Sequence, residues 1–288
     1  MHTTLQHELP RLHHIIQHDV MQALDEDIAS GDLTAQLIPV GQAATASILC
    51  RDHAVICGIP WATEAFRHIS KDIAIEWQVQ EGDKVAPNTI LCQLSGPARA
   101  LLTAERCALN FLQTLSATAT ATRRYVDAIA GTRSHILDTR KTLPGLRLAQ
   151  KYAVRVGGGM NQRIGLYDGI LIKENHIAAA GSIEAVLQNA RALNADVPIQ
   201  IEVETLEQLR IALDAGATLI LLDNFETSQL KEAVQLTNGQ AILEASGGIE
   251  LDNVREIALT GVDRISIGGL TKHVHAVDLS MRFQPDPI

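Results

Sequence analysis

The stretch IQIEVETLEQLRIALDAGATLILLDN, Ile199–Asn224, decides the fold. Ile199–Val203 and Leu219–Leu222 read as strands, and Leu206–Ala215 between them reads as a helix. A helix joining two strands returns the chain to start the second strand in the same direction, so the pair is parallel. Gln200, Glu202 and Glu204 alternate with Ile201 and Val203, which puts the three polar side chains on one face. In a barrel strand the apolar alternates pack against helices and the carboxylates point into the mouth.

The same unit repeats outward from this stretch. Apolar segments stand at Ser134–Leu137, Gly169–Ile172, Ala241–Leu243 and Arg264–Ile267, with helical segments at Ser182–Leu193 and Asp252–Leu259. This alternation implies a parallel α/β barrel, complete or partial. An open doubly wound sheet would carry a dinucleotide fingerprint at its switch point, and no GxGxxG lies between a strand and a helix. The first part reads as a separate α+β domain. Ala44–Cys50 and His53–Gly58 read as paired strands, and Trp61–Ile69 as a helix. Ile73–Gln80 and Thr89–Ser95 form a hairpin around an ordinary turn at Glu81-Gly82-Asp83-Lys84, and Gly96–Leu115 is a helix. The boundary falls in or just before the Thr-rich run Thr118–Thr122, giving domains 1–117 and 118–271.

Composition excludes several classes. The chain has 288 residues, 46% of them hydrophobic and only 3% aromatic, so its core rests on aliphatic side chains and it lacks the rings of a nucleic-acid platform. A net charge of -9 also argues against nucleic acid. No apolar run is long enough to cross a bilayer, and MHTTLQHELPRLHHII lacks the apolar core of a secretory signal, so a cytoplasmic protein is expected. Cys50, Cys57, Cys92 and Cys107 make no CxxC pair and lie in hydrophobic runs, as buried free thiols do.

Chemistry gathers where the strands end. The first ends in Thr139-Arg140-Lys141 and the second in Lys173-Glu174-Asn175-His176. The third carries Glu202 and Glu204, and the fourth ends in Asp223-Asn224. Ser246-Gly247-Gly248 follows the fifth, and Gly268-Gly269 the sixth. In a parallel α/β barrel these ends meet at one rim, where the active sites of that fold lie. Arg140 and Lys141, set before a Pro-Gly turn, suit an anionic small molecule. The two late glycine pairs suit a phosphate. Gly157–Gly159 reads as a plain loop, and His273 and His275 lack a third metal ligand. Arg106 borders the apolar stripe Leu101, Leu109, Leu112 of its helix, beside Glu105, where a structural ion pair is the simplest reading.

Taken together the motifs resemble the quinolinate phosphoribosyltransferase family from about Leu33 to Phe283. The resemblance is carried by ERCALNFLQTLSATAT (Glu105–Thr120), DTRKTLPGLR (Asp138–Arg147), KYAVRVGGGMNQRIGLYDGILIKENH (Lys151–His176), IEVETLEQL (Ile201–Leu209), LLDNF (Leu221–Phe225), ASGGI (Ala245–Ile249) and ISIGGLTKHVHAVDLSMRF (Ile265–Phe283). It implies an α/β N-terminal sandwich, joined by the C-terminal tail 272–288, and an incomplete parallel α/β barrel. It also implies a homodimer with shared active sites, Arg106 reaching the neighbouring barrel.

The implied reaction converts quinolinate and phosphoribosyl pyrophosphate to nicotinate mononucleotide, pyrophosphate and CO2. By this resemblance Arg106, Arg140 and Arg163 hold the quinolinate carboxylates, with Thr139 and Lys141 close by. Lys173 lies near phosphoribosyl pyrophosphate. Glu202 and Asp223 face the ribose and its magnesium-bound pyrophosphate, and Ser246, Gly247, Gly248 and Gly268 cradle the 5′-phosphate. The catalytic groups are then Glu202, Asp223, Lys141 and Lys173. No certain protein metal site follows; Mg2+ accompanies the pyrophosphate, near Glu202 and Asp223. One departure is Asn161-Gln162-Arg163 where the family pattern reads Asn-His-Arg, so a neutral amide replaces an imidazole. The alternatives are a molybdenum-transport-associated paralogue of the same fold, a nicotinate phosphoribosyltransferase and a non-catalytic anion-binding protein. Intact Arg106, Arg140, Arg163 and Lys173 argue against the first, and Glu202 and Asp223 against the last.

Overall fold

The computed structural model describes residues 2–284, with side chains from residue 12 onward. The first eleven residues of MHTTLQHELPRLHHII and the last four of the tail 272–288 therefore lie outside the described side chains. The chain forms two compact units. One runs to Ala121 and includes Leu143–Gly158 and the segment from His273; the other comprises Thr122–Thr142 and Gly159–Lys272. Leu143–Gly158, expected within the barrel domain, groups with the first unit.

In the first unit, helix α1 (His2–Ile28) buries Ile16, Val20 and Leu24, spaced four apart on one face. After it come β1 (Ala43–Cys50), β2 (Ala54–Val55), α2 (Ile59–Ile69), β3 (Ala74–Trp77), β4 (Lys84–Val85) and β5 (Thr89–Pro97). β1 is central to an antiparallel sheet, between β5 and a late strand, Leu279–Phe283; β3 adds on the far side of β5. β2 does not pair with β1 as the sequence suggested. It pairs with β4, Ala54 opposite Val85, because Glu81–Asp83 folds back on Ile56.

The long helix α3 (Ala98–Ala128) continues β5 directly and buries Leu101, Ala104, Ala108, Leu112 and Leu115, a stripe of helical period. The Thr-rich run Thr118–Thr122 is part of this helix, and the division between the two units falls in it, after Ala121. Helix α4 (Arg147–Val156) sets Tyr152 against Trp61 at 5.5 Å between ring centroids.

The Glu81 turn is not ordinary. The Glu81 Oε1 atom accepts from the N–H groups of Gly58 and Ile59 at 2.8 and 2.7 Å, capping the α2 N-terminus, while Oε2 is buried. Burial is the largest influence on this carboxyl and raises it from 4.5 to about 7, against the lowering effect of the N–H donors, Cys57 and Tyr152. Below about pH 4.5 the carboxyl is protonated in both folded and unfolded chains and costs nothing. Above about pH 7 it is charged in both, and the folded chain bears the desolvation cost.

In the second unit the strands are β6 (His135–Leu137), β7 (Ile170–Ile172), β8 (Ile199–Val203), β9 (Leu219–Asp223), β10 (Ile242–Ser246) and β11 (Arg264–Ser266). Helices α5 (Glu174–Ala180), α6 (Ile183–Ala192), α7 (Leu206–Asp214), α8 (Thr227–Thr237), α9 (Val254–Ala258) and α10 (Gly269–Lys272) separate or follow them. Ser182 and Thr205 start α6 and α7 by accepting from Ala185 N and Gln208 N. All six strands are parallel in the order β6-β11-β10-β9-β8-β7, and β6 and β7 do not pair, so the barrel is incomplete. β8 is flanked on both sides, and its Ile201 and Val203 are fully buried, as its alternation requires. The chain then ends its described course in β12 (Leu279–Phe283), the late strand paired with β1.

Thermal unfolding of Glu81→Gln beside the parent at pH 5 and pH 8 checks the buried carboxyl. The amide keeps the cap and cannot charge, so the variant gains on the parent by roughly 2–3 kcal/mol between the two pH values. An unchanged difference would show that the carboxyl titrates as an exposed one.

Candidate active site

Asp138, the first residue past β6, is fully buried. Its Oδ2 accepts from Asn161 Nδ2 at 2.6 Å and its Oδ1 from Gln162 N at 2.9 Å. Met160 forms a parallel bridge to Leu137 and donates its N–H to Ile136 O at 2.8 Å. The segment 160–163 is thereby laid along β6, and Arg163 comes beside Arg140. Burial lowers the Arg163 pKa, and the Arg140 charge lowers it further, while Asp168 opposes both. Arg163 Nη1 donates to Gly169 O at 2.9 Å. The Nε atoms of Arg140 and Arg163 are buried without a hydrogen-bond partner. Two like charges held together with donors unspent call for an anion.

Lys173 ends β7 and caps α5. Its N–H donates to His176 Nδ1 at 3.0 Å, and its ammonium donates to both oxygens of Glu202, at 3.0 and 3.2 Å. Burial is the main influence on Glu202 and raises its pKa, Lys173 lowers it, and Asp223 and Glu174 add to the rise. The Lys173 ammonium is thus the partner of this buried carboxylate. Glu204, one step along the same face, is exposed beyond the strand end.

Thr139, Arg140, Lys141, Arg163, Lys173, Glu202, Asp223 and Ser246 line one cavity of about 270 Å³. Leu171, Leu221, Gln162, Glu244 and Ser266 complete the lining. Glu244 went unread because the fifth strand runs on to Ser246 and not only to Leu243; the alternation Ile242, Glu244, Ser246 would have put it inside. Gln162 donates to Gln200 Oε1 at 2.8 Å, and Gln200 donates to Glu244 Oε2 at 3.0 Å, so Gln162 heads a hydrogen-bond chain that ends on Glu244.

Of the late glycines, Gly268 lies against Lys141 and Gly247 against Asn224, and none lines the cavity itself. A Cβ on Gly268 would stand 2.9 Å from Lys141 Cδ, so the lysine stem passes where another residue's side chain would be. Gly247 has φ +97°, and a Cβ there would meet Asn224 N at 3.0 Å as well as its side chain. Arg106 lies in the other unit, exposed on α3, beside Glu105, whose pKa is raised by burial and lowered by Arg106.

A larger cavity, about 420 Å³, lies in the first unit between α1 and α3. Its charged lining is Asp19, Glu26 and Asp27, with His18, which suits no anion. Among the described residues no group of three or more His, Cys, Asp or Glu could hold a metal ion, and no helix is long and apolar enough to cross a membrane.

Residues 32–116 match the family model for the quinolinate phosphoribosyl transferase N-terminal domain, and residues 118–282 match that for the C-terminal domain. A nicotinate-nucleotide pyrophosphorylase (carboxylating) of Mycobacterium leprae is 42% identical over 91% of this chain and 95% of its own length. A protein of Bacillus subtilis, named a probable nicotinate-nucleotide pyrophosphorylase (carboxylating), is 44% identical over 89% of each chain. The solved structure of the nicotinate-nucleotide pyrophosphorylase from Francisella tularensis superposes with a TM-score of 0.91 at 45% identity, covering 94% of this chain and 96% of that one.

The glycine geometry is checked by denaturant unfolding. Gly247→Ala combines strained φ with a backbone clash and loses about 1–3 kcal/mol, whereas Gly248→Ala, with φ +58° and open space at its Cβ, loses about 1 kcal/mol.

Proposed function

The chain belongs to the quinolinate phosphoribosyltransferase family, and from that premise we propose that it makes nicotinate mononucleotide for NAD biosynthesis. It transfers the phosphoribosyl group of phosphoribosyl pyrophosphate to quinolinate, releasing pyrophosphate and CO2. The observation that carries this reading is the Arg140–Arg163 pair, two guanidinium groups with buried Nε donors still unpartnered, in one cavity with a lysine-held carboxylate. A pyridine with two adjacent carboxylates supplies two anions to two forks.

On this reading Arg140 and Arg163 grip the quinolinate carboxylates, and Lys141 and Thr139 lie beside them. The ring nitrogen attacks the anomeric carbon of the ribose; the carbon–oxygen bond to pyrophosphate breaks, and its electron pair leaves with that oxygen. Positive charge builds on the ribose, and Glu202 and Asp223 stabilise it. Lys173 favours the charged form of Glu202 for this role, against the effect of burial. Ser246 with the backbone of Gly247, Gly248 and Gly268 holds the 5′-phosphate. Magnesium entering with the pyrophosphate would be held at Glu202 and Asp223, oxygen donors of the kind it prefers, and would neutralise the leaving group. Once ribosylated, the ring nitrogen is cationic and absorbs the electron pair left on the neighbouring carbon as CO2 departs. Ribosyl transfer therefore precedes decarboxylation.

Arg106 completes the site from a second copy of the chain, as a homodimer with shared sites requires. Its exposure on α3 supports that reading, as do the exposed Leu166 and Tyr167 of the barrel unit, which suit a subunit contact. The four buried thiols suit the reducing cytoplasm.

An assay with quinolinate and nicotinate tests the substrate. Nicotinate leaves one guanidinium unpaired and is used about 10⁴-fold less well. Comparable turnover of nicotinate would overturn the reading. The shared site is tested by mixing inactive Arg106→Ala chains with inactive Lys173→Ala chains. Mixed dimers carry one intact site and recover about a quarter of parental activity per total chain, one site in two over half the dimers. Mixed dimers that form without activity would put Arg106 outside the neighbour's site.

A further inference from the structure

Glu244 is the carboxyl of the cavity to which the reaction above gives no task. Its relative exposure is 0%, and it stands on β10 facing the barrel interior. Oε2 accepts from Gln200 Nε2 at 3.0 Å, whereas Oε1 is buried with no hydrogen-bond partner. An ionised oxygen left so is costlier than a neutral one, so the surroundings favour the protonated carboxyl.

Sheet register gives Glu244 its level. Leu221 on β9 pairs with Glu202 on β8 and with Glu244 on β10, so the two carboxyls flank one leucine at the same depth. Their surroundings differ. Glu202 is held by the Lys173 ammonium; Glu244 receives a neutral amide. Of the charged groups that bear on Glu244, Arg264 on β11 favours its ionised form and Asp138 beyond β6 opposes it; Gln200 is a neutral donor, and the Ser266 hydroxyl, also neutral, donates to Ala245 O. Burial outweighs them and raises its pKa. Burial raises both carboxyls, so the difference between them lies in their partners: a cation on Glu202 favours its ionised form, and a neutral amide on Glu244 does not.

The reaction needs one acid. When the carboxylate beside the ring nitrogen leaves as CO2, its bonding pair stays on that carbon, which must then gain a proton. We propose that Glu244 supplies this proton: its O–H bond breaks, the ring C–H bond forms, and the resulting carboxylate takes a proton back from water. This assignment rests on the decarboxylating reaction proposed above.

Glu244→Gln keeps the size of the side chain and an acceptor for Gln200, and removes the proton. The full-length variant and parent are compared in single turnovers with quinolinate and phosphoribosyl pyrophosphate, in water and in an equal mixture of H2O and D2O. The variant binds quinolinate within about twofold of the parent, and product formation slows by about 10²–10⁴, the usual range for a lost general acid. The hydrogen-to-deuterium ratio at the former carboxylate position also shifts, because water replaces a carboxylic acid as donor. Glu244→Asp retains the parental ratio at reduced rate.

An unchanged rate and ratio in Glu244→Gln overturns the proposal, as does a slower rate with an unchanged ratio, the mark of a structural role. If Glu244→Gln does not fold, a shifted ratio in Glu244→Asp overturns it. A parent that forms product without solvent hydrogen at that carbon overturns the underlying reaction and this assignment together.

Discussion

The carboxylate of Asp138 accepts one hydrogen bond from the side chain of Asn161 and one from the backbone of Gln162, and the site depends on this pair of contacts. β6 and β7 do not pair. Without a substitute for strand pairing, the segment after Met160 would have no fixed place and Arg163 no reason to stand beside Arg140. A buried carboxylate satisfied by two donors is stiff as well as stable, since displacing either donor strands an oxygen in a dry place. Binding energy for the anion is thus prepared during folding: the repulsion between the two guanidinium groups is offset by local contacts before any ligand arrives.

The remaining charges follow a consistent division. Cations come from the β6 and β7 ends and from the segment between them, carboxylates from β8, β9 and β10. One side of the mouth suits the dicarboxylate, and the other suits a sugar acquiring positive charge. Lys173 bridges the halves by donating to Glu202. Below them Gln162, Gln200 and Glu244 join in one hydrogen-bonded chain. Gln162 heads that chain as a neutral donor.

Much of this was legible in the sequence, for physical reasons. Six aliphatic runs became the six strands because a parallel strand covered by helices must be apolar on alternate residues whatever its neighbours are. The rim residues were legible because they directly follow those runs. What local pattern cannot carry is pairing at a distance. β2 met β4 and not β1 because the Glu81 turn returns to Ile56, and nothing in residues 43–58 encodes that return. Glu81 read as a turn residue since its partners, Gly58 and Ile59, lie more than twenty positions upstream. Leu143–Gly158 follows the most informative site motif, yet its helix buries Ala149, Tyr152 and Ala153 in the core of the first unit. Glu244 was missed by a strand drawn three residues short.

The segment laid along β6 does a second thing. A strand with one unpaired side offers a row of bare N–H and C=O groups to any other chain with a similar row, and such contacts propagate. Here Met160 N–H occupies Ile136 O, and Met160 O takes Asp138 N–H at 3.2 Å. Residues that assemble the anion site therefore also shield the sheet from edge-to-edge association. Damage at Asp138 would present two ways in one molecule, as a lost ligand and as a sticky chain, and a poorly soluble variant would carry information about the site.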